Sequence, residues 1–170
     1  MAPSLLGSTV ATVVGGSRVA VRLDEVEAYD GANDPASHAY RGRTPRNLPM
    51  FGPPGTIYVY LSYGIHWCMN IVVGASGNPA AVLLRGGVLI EGRSVAAERR
   101  GRTDHLADGP GKLCQALGVD GSVSGSALGE AVSFTPGELR HGERITATPR
   151  IGISKAVDRP WRFVIEARRT

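Results

Sequence analysis

The sequence has only two cysteines, Cys68 and Cys114, far apart and without a CxxC partner. That excludes the dense disulfide scaffold of a small secreted domain and leaves too few thiolates for a structural zinc site. Both thiols are expected to be reduced and buried. The four histidines, His38, His66, His105 and His141, fall at spacings that make no metal motif. Neither a metal nor another cofactor is expected. No apolar run approaches the roughly 20 residues that span a bilayer. The start, "MAPSLLGSTVATVVGG", lacks the basic region and cleavage site of a signal peptide. No membrane partner is expected, and the location reads as cytoplasmic, nucleoid-associated if the source is bacterial.

Other absences narrow the chemistry. "GPGK" at 109–112 has the outline of a phosphate loop, but Leu106 and Leu113 stand where that loop needs Gly and Ser or Thr. Nucleotide hydrolysis is excluded, although a helix opening after Gly-Pro-Gly can still offer backbone N–H groups to one phosphate. The His-x-Glu and Pro-Cys-x-x-Cys signature of zinc deaminases is missing, as is a Gly-x-Ser-x-Gly nucleophile elbow.

What is present is ordinary in bulk. The 170 residues, 42% hydrophobic and 20% charged, suit one domain over 1–170 that buries a core without staples. The net charge is +4, with basic residues gathered in "AERRGR" (97–102) and from Arg140 to Arg169. Such a surface permits phosphate contacts without demanding them.

Twenty-three glycines and eleven prolines punctuate short runs of Val, Ile, Leu and Tyr, a pattern of strands and turns. Strands are expected near 8–14, 18–29, 56–62, 65–73, 80–85, 131–134, 145–148 and 161–167, with helices over about 88–100 and 110–117. Proline at the first turn and glycine just past the end frame the second helix. Two loops stand out. Residues 30–56, rich in proline, form a connection long enough to be functional, and its Pro, Gly, Met and Phe suggest that it packs down. Residues 101–111 form a basic-then-acidic linker.

The strand "VRLDEVEAYD" ends in acid. Strict alternation puts Val19, Val21, Leu23, Glu25, Glu27 and Tyr29 on one face, apolar until its end. A carboxylate there is partly desolvated, an environment that suits a general base. The plainer alternative is a glutamate that pairs with an arginine at the surface. In "GTIYVYLSYGIHWCMN" (55–70), two strands meet at a turn. Tyr58 and Tyr60 share one face, Val59 and Leu61 the other, and Tyr58, Trp67 and Met69 suit core packing. Tyr63 falls at the turn with no core to enter. It is either a partner contact or a wedge of the kind that enters between base steps.

"EVEAY", "DPASHAYRGRTPRNLPMFGPPGTIYVYLSYGIHWCMN", "AVLLRG" and "DGPGKLCQALGV" together resemble the 3-methyladenine DNA glycosylases of the alkyladenine glycosylase family, from about residue 4 to 167. The resemblance implies an α+β fold, a single mixed domain on a curved, mainly antiparallel sheet with a few flanking helices and a protruding hairpin. It implies a base-flipping enzyme of base-excision repair that hydrolyses the N-glycosidic bond of alkylated or deaminated purines. Carried over by position, Glu27 is the general base and Arg85 helps hold the attacking water. Tyr29, His38, Tyr60 and Asn70 line the base pocket, with Asn70 at its floor. Tyr63 intercalates with Ile65 beside it, and Thr44, Arg46 and Lys112 face the DNA backbone. The expected partner is double-stranded DNA containing damaged purines, bound by a monomer. No lysine is near Glu27 in sequence, so water is the expected nucleophile, without strand-cleaving lyase chemistry.

The chain departs from the family in two places. It begins almost on the "LLG" segment, and "DGAND" follows Tyr29 where "LGPED" is commoner, which sets the charge of Asp30 beside the expected pocket. The competing class is a non-catalytic DNA-lesion binder. An acid at position 27 favours the enzyme. An RNA-binding module rests on basic charge and aromatics alone.

Overall fold

A computed structural model describes residues 1–167. Its sheet of eight strands has β1 (Thr9–Val14), β2 (Ser17–Asp30), β3 (Ile57–Ser62), β4 (His66–Val72), β5 (Ala80–Glu91), β6 (Val132–Thr135), β7 (Glu143–Thr148) and β8 (Arg162–Ala167). All the strand pairings are antiparallel. The sheet curls into a half-barrel, flanked by α1 (Arg93–Arg100) and α2 (Pro110–Leu117), and the α+β expectation holds.

The organising element is β2. One edge pairs with β5 along most of its length. The other edge takes β1 over its first half and β8 over its second. One long strand can therefore serve two partners in succession, which turns the sheet into a curl. The side chains that leave one face of it fill the main core. Val19, Val21, Leu23 and Val26 of β2 join Ile57 and Val59 of β3, Met69 and Ile71 of β4, and Leu113, Cys114 and Leu117 of α2. Pro110 opens α2, and Gly118 in the left-handed region closes it, as its sequence foretold.

Two expectations are corrected. The helix foreseen over about 88–100 begins only at Arg93, because 88–91 continues β5, with Val88 opposite Arg22 and Leu89 opposite Val21. A short apolar run fits either period, and Gly92, at φ +76°, is where the chain changes from strand to helix.

The second correction concerns the parity of β2. Its pairing with β5 slips between Leu23 and Glu25 and again between Glu25 and Val26. The core-facing set accordingly passes from Val19, Val21 and Leu23 to Val26. An odd number of extra residues exchanges the faces. Glu25, Glu27 and Tyr29 thus leave the face of Val19 and turn to the opposite one.

That opposite face carries a second, smaller cluster of Ala39, Met50, Tyr58 and Ala81, with Phe51 and Tyr60 packed against it. The long segment after β2 does pack down. Its 3₁₀ turns Gly31–Asn33 and Leu48–Phe51 and its buried residues Asp34, Ala39, Asn47 and Met50 fold it over the sheet.

Candidate active site

Between this segment and the sheet lies a cavity of about 620 Å³. Alternation supplies its floor: Tyr58 and Tyr60 from β3, Cys68 and Asn70 from β4, Leu83 and Arg85 from β5, and Tyr29 from β2 all line it. The overlying segment adds His38 and Met50, and residues 151–155 close another side.

Glu27 stands one layer behind this wall. It is fully buried, and three residues that line the cavity touch its carboxylate. The Tyr29 hydroxyl donates to Oε2 at 2.9 Å. The Ile151 backbone N–H donates to Oε1 at 2.8 Å, and Nη1 of Arg85 lies 3.3 Å from the same oxygen. Burial, then the adjacent Glu27 charge, push the Tyr29 phenol far above its ordinary range, so it remains a donor.

Arg85 is itself held. Its Nε donates to Oε1 of Glu25 at 2.6 Å, and Nε of Arg162 donates to that same oxygen at 2.6 Å. Burial alone would raise the Glu25 carboxyl, but the two guanidiniums outweigh it and leave the pKa below the ordinary value. For Arg85, burial opposes the charge, yet the Glu27 and Glu25 carboxylates raise its pKa. Glu25 is thus the pairing carboxylate, and the site holds a chain Arg162–Glu25–Arg85–Glu27 of alternating sign.

The aromatic part is equally constrained. His38 and Tyr60 meet edge-on with ring centroids 4.4 Å apart, and Tyr58 stacks on Tyr60 at 5.6 Å. Nδ1 of His38 lies 2.9 Å from the Tyr58 hydroxyl. Burial, then the Arg46 charge, lower the His38 pKa and favour the neutral ring. Burial raises the Tyr58 phenol to about 12. Asn70, buried in the floor, donates through Nδ2 to the Tyr58 carbonyl at 3.2 Å. The backbone behind His38 is pinned by Asn47, whose Nδ2 donates to the carbonyls of His38 and Gly42.

The expected intercalating pair projects from the β3–β4 hairpin. Tyr63 is 88% exposed and Ile65 70% exposed. Tyr63 also has a positive φ of 49°, which is uncommon for a residue with a ring. Of the expected backbone contacts, Arg46 is exposed, donates to the Leu61 carbonyl and lies over the Tyr60 ring at 5.8 Å. Thr44 is exposed on the segment that covers the cavity, its hydroxyl accepting from the Asn47 N–H. Lys112, in the first turn of α2, pairs with Asp108 at 3.0 Å. Asp30, expected beside the pocket, is not among the lining residues and accepts instead from Asn33.

Sequence reasoning missed the segment 150–155. Its Ile151 N–H reaches Glu27, and Ser154 and Lys155 are exposed at the cavity wall. A backbone donor carries no signature in sequence, and the two partners lie 124 residues apart. Arg150 was also missed. It is bound through Nη1 and Nη2 to Asp34, with both side chains fully buried.

A buried acid is braced behind an aromatic cavity, on an α+β half-barrel with an exposed aromatic hairpin. Comparison with known proteins identifies the group. The model of the methylpurine-DNA glycosylases matches residues 1–169. A protein of Frankia casuarinae, described provisionally as a 3-methyladenine DNA glycosylase, is 49% identical over 96% of this chain and 82% of its own. One of Cutibacterium acnes with the same description is 47% identical over 97% of this chain and 89% of its own. Another, from Rhodopseudomonas palustris, is 49% identical over 96% of this chain and 80% of its own. The chain belongs to the methylpurine-DNA glycosylase family, and is a DNA glycosylase of base repair.

Proposed function

We propose that the protein, acting as one domain over residues 1–170 and as a monomer on duplex DNA in the cytoplasm, turns an alkylated or deaminated purine into the aromatic cavity. There it hydrolyses the N-glycosidic bond with a water activated by Glu27. The observation that carries this reading is the acid braced by three cavity residues. A carboxylate offers about four lone-pair sites. Ile151 and Arg85 approach Oε1 and Tyr29 one site of Oε2, and the remaining site on Oε2, beside the Tyr29 hydroxyl, suits a water from the cavity.

Each element has a physical task. Extruding a purine costs a few kcal/mol, least for damaged or mismatched pairs. Tyr63 fills the gap, with Ile65 beside it. Arg46, Thr44 and Lys112 face the backbone, with Lys112 exchanging Asp108 for a phosphate. Tyr29, His38 and Tyr60 pack on the extruded base, and Asn70 on the floor reads its edge and selects against the exocyclic amine of guanine. As the bond breaks, its electron pair leaves with the base and the sugar becomes oxocarbenium-like. The Glu27 carboxylate stabilises that cation and takes the proton of the water whose oxygen bonds to the sugar carbon. An abasic site remains.

The test is base release from duplexes holding hypoxanthine, 1,N6-ethenoadenine or 7-methylguanine. Glu27→Gln lowers release by about 10²–10⁴-fold, the usual worth of general-base catalysis, while lesion binding persists. Wild-type protein that binds these duplexes and releases none of the bases would establish a lesion-binding protein instead. Lys155 at the wall makes the nucleophile a second question. With water as nucleophile, borohydride traps no covalent protein–DNA adduct, and a trapped adduct lost in Lys155→Ala would overturn the monofunctional reading.

A further inference from the structure

We propose that Arg150 is a specificity residue acting through Tyr29, which sets how the cavity ranks positively charged against neutral purines. The inference rests on the reading of the cavity as a base pocket. It starts from a stack. The Arg150 guanidinium carbon lies 4.6 Å from the Tyr29 ring centroid and 5.2 Å from that of Trp161. Tyr29 lines the cavity and Arg150 does not, so the ring separates the guanidinium from any base stacked on its other face.

The cation cannot leave. Nη1 donates to the Ala28 carbonyl at 2.9 Å, and Nη1 and Nη2 both donate to Asp34. Those bonds run in the guanidinium plane, and the central carbon of the group stands over the ring. Asp34 is thereby a counter-charge set to the side of the stack.

A π-face attracts a cation through its negative quadrupole. When one face already holds a cation, a second on the far face meets its repulsion through a thin, poorly screening ring, in a site of low effective dielectric. A purine nucleoside alkylated at N3 or N7 carries a formal positive charge, whereas hypoxanthine and ethenoadenine are neutral. Arg150 therefore removes part of the advantage that an unbacked tyrosine gives the charged lesion, and leaves dispersion and hydrogen bonding to the neutral ones intact. The rest of the wall points the same way. Among the described residues the wall's own charged side chains are Arg41, Arg46, Arg85 and Lys155, and the Glu27 carboxylate behind it, 3.3 Å from Arg85, is common to wild type and variants.

The experiment compares affinities for two duplexes, one with 7-methylguanine and one with hypoxanthine. Both lesions are 2′-fluorinated so that the glycosidic bond survives, and binding is read by fluorescence anisotropy. The ratio of the two affinities on one preparation cancels any inactive fraction. In Arg150→Met/Asp34→Asn, which removes both charges and keeps an acceptor for the Ala36 N–H, the ratio shifts toward 7-methylguanine by about threefold or more, in keeping with a cation–π contribution regained. Arg150→Lys, which keeps the charge, holds the wild-type ratio. A merely structural role would weaken both duplexes together.

If the double variant fails to fold, citrulline in place of Arg150 combined with Asp34→Asn keeps the planar shape, removes both charges and carries the same expectation. A ratio that stays at the wild-type value in a folded variant neutral at position 150 overturns the proposal. Because binding alone is measured, that result is separate from failure of the glycosylase reading, which base release from unfluorinated duplexes decides.

Discussion

The hydroxyl of Tyr29 donates to Oε2 of Glu27 at 2.9 Å, which joins the ring facing the cavity to the acid behind it. The two are neighbours on one face of β2, and the bulges in that strand set the face. Whatever moves the ring also moves the carboxylate.

Tyr29→Phe separates these roles. The ring stays, and a buried carboxylate loses one of its donors, which costs about 1.5–3 kcal/mol for a hydrogen bond to a charged group. Denaturant unfolding should show that loss. Lesion affinity should change little, because the stacking surface is kept. Single-turnover hydrolysis should slow by about tenfold or more as the acid loses its fixed direction. Unchanged stability and rate would show that the bond does nothing.

His38 gives a pH dependence whose sign follows from its environment. Burial and Arg46 lower its pKa in the folded protein, so the unfolded chain takes up the proton at higher pH. Stability therefore falls as pH drops below the ordinary imidazole value of about 6.5. It stops falling on this account once the folded ring also protonates. The lowered carboxyls of Glu25 and Asp34 act only further down, near the ordinary carboxylate range. Thermal melts between neutral and mildly acid pH should show a decline in wild type and a flatter profile in His38→Gln. Equal slopes would remove His38 as its source.

Much of this architecture was legible in sequence because it is periodic. All eight strands were foreseen, and α2 was framed by Pro110 and Gly118. Tyr58 and Tyr60 do share a face opposite Val59, as expected, and Tyr58, expected to pack in the core, is buried in the smaller cluster and also lines the cavity. The residues named for the pocket, Tyr29, His38, Tyr60 and Asn70, do converge on one cavity with Arg85. What strict alternation could not show is the bulge at Asp24, since a bulge depends on the partner strand. The contribution of 150–155 was invisible for another reason. Asp34–Arg150 and Glu27–Ile151 are pairings across 116 and 124 residues, and neither has a local spacing to betray it.

The hairpin tip offers two effects of opposite sign. Tyr63 holds φ at 49°, a left-handed conformation that costs a non-glycine residue about 1 kcal/mol and that Asn tolerates better. Its ring is almost wholly exposed and returns no burial. Tyr63→Asn should leave the protein as stable or more so by thermal melt, while weakening binding to a paired lesion duplex. Turnover of a readily flipped, mismatched base should suffer less. A fall in stability, or an equal loss on both duplexes, would contradict a wedge held under strain for its work on DNA.

Glu25→Gln tests the brace on Arg85. One oxygen of Glu25 takes both Arg85 and Arg162 at 2.6 Å, so the amide leaves two guanidiniums without their shared anion. The side chain is mostly buried, at 18% exposure, and hydrogen bonds to charged groups of this kind contribute about 1.5–3 kcal/mol. A loss in that range is expected at neutral pH. Because the folded pKa of Glu25 is lowered, its contribution is present above the ordinary glutamate value of about 4.3 and is lost as pH falls through the folded value. The gap between wild type and variant should accordingly narrow in acid. Hydrolysis should fall less than in Glu27→Gln, since Arg85 keeps Glu27 as a partner at 3.3 Å. The residual rate then measures how far Arg85 needs both anions to stay on the cavity wall. A stability gap that does not close on acidification would show that Glu25 works by packing and not by charge.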